Sequence, residues 1–201
     1  GSRLVNVASG ASLGDLNGHR EYQLAAGNYQ VEVQNSSDIG SYRFVAYVIV
    51  PTGAILARWN ASDGALGALG APTAVAVCEA EVCWQDFKNG QIVAAGNSAW
   101  ITRDAIRLRW IAAGGPSGAL GTPTGQVFAT TKENGFGQHF VGGEIYGTEA
   151  LGAHSVQSPI LATWKAAGWE NGTYGYPTEE QTCTDTECSQ VFQGGTITAA
   201  K

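Results

Sequence analysis

A unit of about fifty residues is written three times in this chain, and that constrains the fold more than anything else in it. Trp59, Trp110 and Trp164 mark the copies. Each is followed eleven positions later by a glycine, within Leu69-Gly70-Ala71-Pro72, Leu120-Gly121-Thr122-Pro123 and Tyr174-Gly175-Tyr176-Pro177. A second landmark follows as Gln85-Asp86-Phe87, Gln138-His139-Phe140 and Gln190-Val191-Phe192. Three residues past each phenylalanine stands Gly90, Gly143 or Gly195, and two further on Ile92, Ile145 or Ile197. One such unit buries too little apolar surface alone, so neighbours must stack or close around an axis.

Within each copy, Ile55/Trp59, Ile106/Trp110 and Ile160/Trp164 are four apart, which places both side chains on one face of a short helix. Gly114-Gly115 and Gly168 supply left-handed caps that end it. The proline of the next element bars any helix from continuing and marks a turn. Two strands and a tight loop follow (Lys132-Glu133-Asn134-Gly135 in copy two, where Asn-Gly is a hairpin signal), then a glycine turn and a third short strand such as Glu144-Ile145-Tyr146. The expected fold class is α+β, mostly β: three helix-plus-β-hairpin repeats, about 53–105, 106–159 and 160–201, around a shared core.

Residues 1–50 do not fit the repeat. Segments 20–24, 29–34 and 42–50 read as strands, and Tyr29, Val31 and Val33 alternate with Gln30, Glu32 and Gln34 as in a half-buried antiparallel strand. Three strands make a poor independent domain. The segment is therefore expected to pack on the repeats or to belong to a larger domain.

Four cysteines fall as Cys78-x4-Cys83 and Cys183-x4-Cys188, and four cysteines allow three pairings. The repeat favours one of them. Counting back nine and four from the phenylalanine reaches both cysteines in copies one and three, but Thr131 and Phe136 in copy two. Cysteines that are present or absent together predict bridges within a repeat, 78–83 and 183–188, and a compartment outside the reducing cytosol. Zinc is disfavoured, because His19, His139 and His154 bear no spacing relation to the cysteines.

Charge narrows the partners. Only 14% of residues are charged, against roughly 25% in an average soluble domain, and the net charge is −6. Nucleic acid would want a basic stripe, and anionic lipid a basic face. No apolar run approaches the length of a membrane-spanning helix, so no membrane insertion is expected. The only catalytic string is Gly10-Ala11-Ser12-Leu13-Gly14, and a nucleophile elbow needs a strand before it and a helix after it. Glu79/Glu81 and Asp185/Glu187 fall in the predicted hairpin loops, whereas a glycosidase needs two carboxyls flanking a cleft. No catalytic residue, metal or cofactor is expected.

The pattern Trp…Leu-Gly-x-Pro…Phe-x-Gly-Gly-x-Ile resembles the LGFP repeat of secreted actinobacterial proteins, over roughly residues 53–201. Copy three carries it in Gly168-Trp169-Glu170-Asn171-Gly172-Thr173-Tyr174-Gly175-Tyr176-Pro177-Thr178. Copy two carries it in Phe140-Val141-Gly142-Gly143-Glu144-Ile145-Tyr146 and Gly152-Ala153-His154-Ser155-Val156. No copy keeps the phenylalanine of the name; Ala71, Thr122 and Tyr176 stand there. In that family such repeats are appended to mycoloyltransferases, amidases and other envelope enzymes. The resemblance implies a secreted, non-catalytic module that binds the cell wall through arabinogalactan or a related polysaccharide. Two rivals are a protein–protein adhesion or assembly module using the N-terminal sheet, and a fragment of an envelope hydrolase or mycoloyltransferase. The apolar run Phe44-Val45-Ala46-Tyr47-Val48-Ile49-Val50 motivates the first rival.

The aromatic residues divide in two. Trp59, Trp110, Trp164, Phe87, Phe140 and Phe192 recur and are expected in the core. Trp84, Trp100 and Trp169 occur once each, where other copies place Gly137, His154 or Gly115; they either stack on sugar or seal a neighbouring repeat. Gln85, Gln138 and Gln190 share the phenylalanine's strand face and must find either an internal hydrogen bond or a ligand. Sugars offer C–H faces to rings and hydroxyls to planar polar groups. His139, Glu144 and Tyr146 on adjacent strands are therefore one candidate site, and Trp169-Glu170-Asn171 a second. If these are surface contacts, truncating Tyr146 or Trp169 leaves the melting temperature nearly unchanged; the alternative makes them ordinary interface residues between repeats.

Overall fold

The computed structural model describes residues 2–6, 12–15, 29–33 and 53–201. The chain divides into two compact units, residues 1–46 and 47–201. In the first, β1 (Ser2–Asn6) lies between β2 (Ser12–Asp15) and β3 (Tyr29–Val33), antiparallel to both. The alternating residues form the strand they predict over Tyr29–Val33, while Gln34 and the strands read at 20–24 and 42–50 lie outside the described residues. Ser12–Asp15 is a strand, where a nucleophile elbow places its serine at a strand-to-helix turn.

The second unit repeats one plan. Repeat one is α1 (Gly53–Asn60), β4 (Val77–Glu79), β5 (Val82–Phe87), β6 (Gly90–Ala95) and β7 (Ser98–Thr102). Repeat two is α2 (Asp104–Ala112), β8 (Phe128–Ala129), β9 (Phe136–Phe140), β10 (Gly143–Thr148) and β11 (Gly152–Gln157). Repeat three is α3 (Ile160–Ala166), β12 (Thr182–Cys183), β13 (Glu187–Phe192) and β14 (Gly195–Ala200). Each sheet is an antiparallel meander. The predicted helix, hairpin and third strand are all present, and repeats one and two add a fourth strand, β7 or β11.

Helices of 8, 9 and 7 residues are too short to persist alone in water, so packing holds them. The eleven-residue spacing has a direct cause. The indole N–H groups of Trp59, Trp110 and Trp164 donate to the carbonyls of Gly70, Gly121 and Gly175 at 2.9, 2.8 and 2.9 Å. Those glycines hold φ of +77°, +65° and +71°, a region where a β-carbon is strained. Two residues on, Pro72, Pro123 and Pro177 bridge to Phe87, Phe140 and Phe192. The sequence landmarks are therefore contacts of one circuit: helix to turn, turn to strand.

The core takes the form of three linked clusters. One gathers Ile55, Trp59, Leu69, Phe87, Ile92 and Ala94. The next gathers Ile106, Trp110, Leu120, Phe140 and Ile145, together with Val93 of repeat one. The last gathers Ile160, Trp164, Tyr176, Phe192 and Ile197, together with Tyr146 and Val156 of repeat two. Strand alternation is the reason. On β6, Ile92 and Ala94 face their own helix while Val93 faces the following repeat; on β10, Ile145 and Tyr146 divide in the same way.

Both cysteine pairs are bonded as expected, 78 to 83 and 183 to 188, each a cross-strand pair of its hairpin. The corresponding pair in repeat two is Ala129 and Phe136, not Thr131 and Phe136. The loop between them, 130–135, is two residues longer than its cysteine-bearing counterparts. It is secured by repeat three instead. The Tyr176 hydroxyl donates to the Lys132 carbonyl at 2.6 Å and meets the Thr130 hydroxyl, while the Lys132 ammonium donates to the Glu170 carbonyl at 2.9 Å.

Candidate functional site at the junction of repeats two and three

The two candidate sites read separately from the sequence are one place. His139 on β9 and Glu144 on β10 are register partners, and the imidazole Nδ1 hydrogen-bonds the Glu144 carboxylate. The other carboxylate oxygen lies 3.4 Å from the ammonium of Lys165 on α3. Glu144 is thus clamped between a strand of its own repeat and the helix of the next. Tyr146, two residues along the same face, stacks on Trp169 at 5.9 Å and meets Trp164 edge-on at 4.9 Å. Phe128 completes the group, 4.9 Å from the His139 ring and 5.5 Å from Tyr146.

Trp169 follows α3 in a short 3-10 turn, Trp169–Asn171, entered through Gly168 at φ +95°. Its ring is half-buried against the third core, with the Lys165 ammonium 4.8 Å from its centroid. Glu170 is buried, at 7% exposure, and accepts from the Asn171 amide at 2.8 Å. Burial, then the Glu170 and Glu144 carboxylates, push the phenol of Tyr146 above its ordinary value. Tyr176 is raised as well, chiefly by burial, against the lowering effect of its Thr130 hydrogen bond.

Several expectations change here. Tyr146 is 5% exposed and belongs to the core of repeat three, so its truncation cannot leave stability untouched. Gln138 is fully buried, at 0%, and its amide donates to the carbonyls of Gly125 at 2.9 Å and Ile101 at 3.1 Å. An amide so committed is not a surface sugar contact. Gln190 repeats the arrangement toward Glu179 and Ser155, and Gln85 bonds Ala74 alone. In repeats two and three the glutamine ties its own loop to the last strand of the preceding repeat.

Trp84 and Trp100 flank Val93 across β5, β6 and β7, facing repeat two, and Trp84 packs on that repeat's core. The matching row in repeat two is Gly137, Tyr146 and His154. A β-carbon on Gly137 would come within 2.7 Å of the Phe128 ring. That glycine is therefore not evidence of a dispensable ring: Phe128 and Tyr146 fill the volume that Trp84 supplies in repeat one. Phe128 and Lys165 were missed by the pattern; a glycine opposite a phenylalanine was the signal for the first.

What remains open to solvent is His139, with 46% of its side chain exposed, Lys165 with 44%, the outer part of Trp169, and Asn171. This surface offers a ring with polar groups around it. The two nearby carboxylates are engaged, Glu144 by His139 and Lys165 and Glu170 by Asn171.

Fold and junction together define a tandem array of helix-plus-sheet repeats joined head to tail. The LGFP repeat model matches residues 69–118 and 120–172, about half of the chain, and the protein belongs to that family. No curated protein matches it. The matched windows open at the Leu-Gly-x-Pro turn and close beyond the next helix, so they cut across folding units that each begin with a helix. LGFP repeats are found in cell-wall-associated secreted proteins.

Proposed function

We propose that the repeats form a non-catalytic module that attaches a secreted protein to wall polysaccharide, arabinogalactan or a relative of it. The observation that carries this reading is Trp169. It holds φ of +58°, where Gly64 and Gly115 stand in the sibling repeats at +56° and +59°. A bulky residue in that region costs on the order of 1–3 kcal/mol, and strain of this kind gathers at binding sites. The strained ring lies beside the exposed His139, Lys165 and Asn171, a stacking platform rimmed by hydrogen-bonding groups. Family membership and the two disulfides fit an extracellular setting.

The test is co-sedimentation with deproteinised, delipidated wall and with purified arabinogalactan. The parent is expected in the pellet and Trp169→Gly, which restores the residue both siblings tolerate, in the supernatant with its circular dichroism intact. A parent that ignores deproteinised wall points to a protein partner. Full retention of Trp169→Gly places any glycan site elsewhere.

A further inference from the structure

The junction of repeats two and three carries an ion pair that its twin lacks. Arg109, just before Trp110, lies 3.1 Å from Glu180. Glu180 also accepts from the Ser155 hydroxyl at 2.6 Å and its amide at 3.3 Å, and bonds His154 at 3.0 Å. Arg58, just before Trp59, is the matching residue one repeat earlier. The position of Glu180, five past the turn glycine, is there Gln126, which accepts from the Ile101 amide at 3.4 Å as Glu180 does from Ser155. Among the described residues Arg58 has no ion-pair partner, whereas Arg109 has one. The Nε atoms of both arginines are buried without a hydrogen bond, so the difference lies at the outer nitrogens.

Gln126 and Arg58 line a groove of about 340 Å³ between repeats one and two, with Arg103, Ser62, Asn89 and Asp63. That volume lies in the range of small-molecule sites. Arg103 brings a second guanidinium, only loosely engaged by the exposed Asp104 at 3.7 Å. Asp63 is the one carboxylate of the lining, and it forms no ion pair with either arginine. The amide nitrogen of Gln126 makes no hydrogen bond among the described residues. Guanidinium forks bind carboxylate and phosphate with charge-assisted hydrogen bonds.

We infer that this groove is an anion site that takes the carboxylate or phosphate of an acidic sugar, an external oxyanion supplying, beside Gln126, the negative charge that Glu180 brings to the neighbouring junction. The sugar part rests on the wall-polysaccharide reading; the oxyanion part does not.

The whole chain is titrated with glucuronate, glucose 6-phosphate, inorganic phosphate and glucose, followed by calorimetry and by the backbone amide resonance of Ile101, which lines the groove and persists in every variant. Glucuronate or glucose 6-phosphate, whichever binds more tightly, identifies the source of the anion, and glucose should leave the resonance in place. Arg58→Gln and Gln126→Glu should each weaken binding by roughly tenfold or more, and Arg109→Gln should not. Gln126→Glu supplies the internal carboxylate of the twin junction, so it decides the matter even if Arg58→Gln fails to fold. Binding of inorganic phosphate with indifference to both sugars removes the sugar and keeps the anion site. Absence of binding by all three anions, or unchanged affinity in Gln126→Glu, overturns the inference. Either result leaves the sedimentation test of wall attachment standing.

Discussion

Alanine at the three repeated glutamines separates the junction's contribution from that of the repeat itself. All three side chains are buried and lose the same atoms, so their packing terms nearly cancel. Gln85→Ala strands one carbonyl, that of Ala74. Gln138→Ala strands two, Gly125 and Ile101, and Gln190→Ala strands Glu179 and Ser155. A buried carbonyl left without a donor costs about 1–3 kcal/mol. The two later variants should therefore lose about 1–3 kcal/mol more than Gln85→Ala, and that excess is the free energy of the bond between repeats. Urea unfolding followed by tryptophan fluorescence, disulfides intact, reads it directly. A reduced slope in the later variants alone would mean that a repeat has begun to unfold separately. Three equal losses would refute the argument, because the bond to the preceding repeat would then contribute nothing.

Trp110→Ala removes a fully buried ring and its bond to Gly121, and should cost about 3–5 kcal/mol. Tyr146→Ala should cost about 3–4 kcal/mol by the same assay, because the ring is core of the next repeat. Tyr146 and Tyr176 keep their protons in the folded state beyond the ordinary tyrosine value near pH 10. Above that pH the unfolded chain loses protons that the folded chain retains, so stability should fall as pH rises, with no such trend below. Absorbance at alkaline pH should show two tyrosines titrating late. Reduction of the two small hairpin loops should lower stability by about 2 kcal/mol each, read as the melting temperature with and without a phosphine reductant.

Legibility followed the range of the interactions. The Trp-to-Gly spacing was readable because one hydrogen bond, repeated three times, fixes it. The cysteine pairing was readable because both partners belong to one hairpin. Contacts between repeats left fainter marks. Trp169-Glu170-Asn171 has the composition of a surface patch, yet Glu170 is buried, because the loop of repeat two closes over it through Lys132. That loop's extra length also displaced the match for Cys78 from Ala129 to Thr131. Tyr146 sits where repeat one has valine, and only the placement of Trp84 and Phe128 shows that the two rows fill comparable space. The fourth strands escaped because Ser98–Thr102 and Gly152–Gln157 split their side chains between two cores and so carry no clean alternation.

The strand that serves two cores also makes each junction directional. Its outward face is a plug and the following repeat is a socket, a polar joint with no symmetry to close it. On β14 the outward positions are Thr196 and Thr198, both exposed, where inner copies present Gln91 with Val93 or Glu144 with Tyr146. Two small hydroxyl-bearing side chains offer a socket little to bury. A change of two residues on that face thus separates β6 and β10, which each carry a junction, from β14, whose outward face is small and polar.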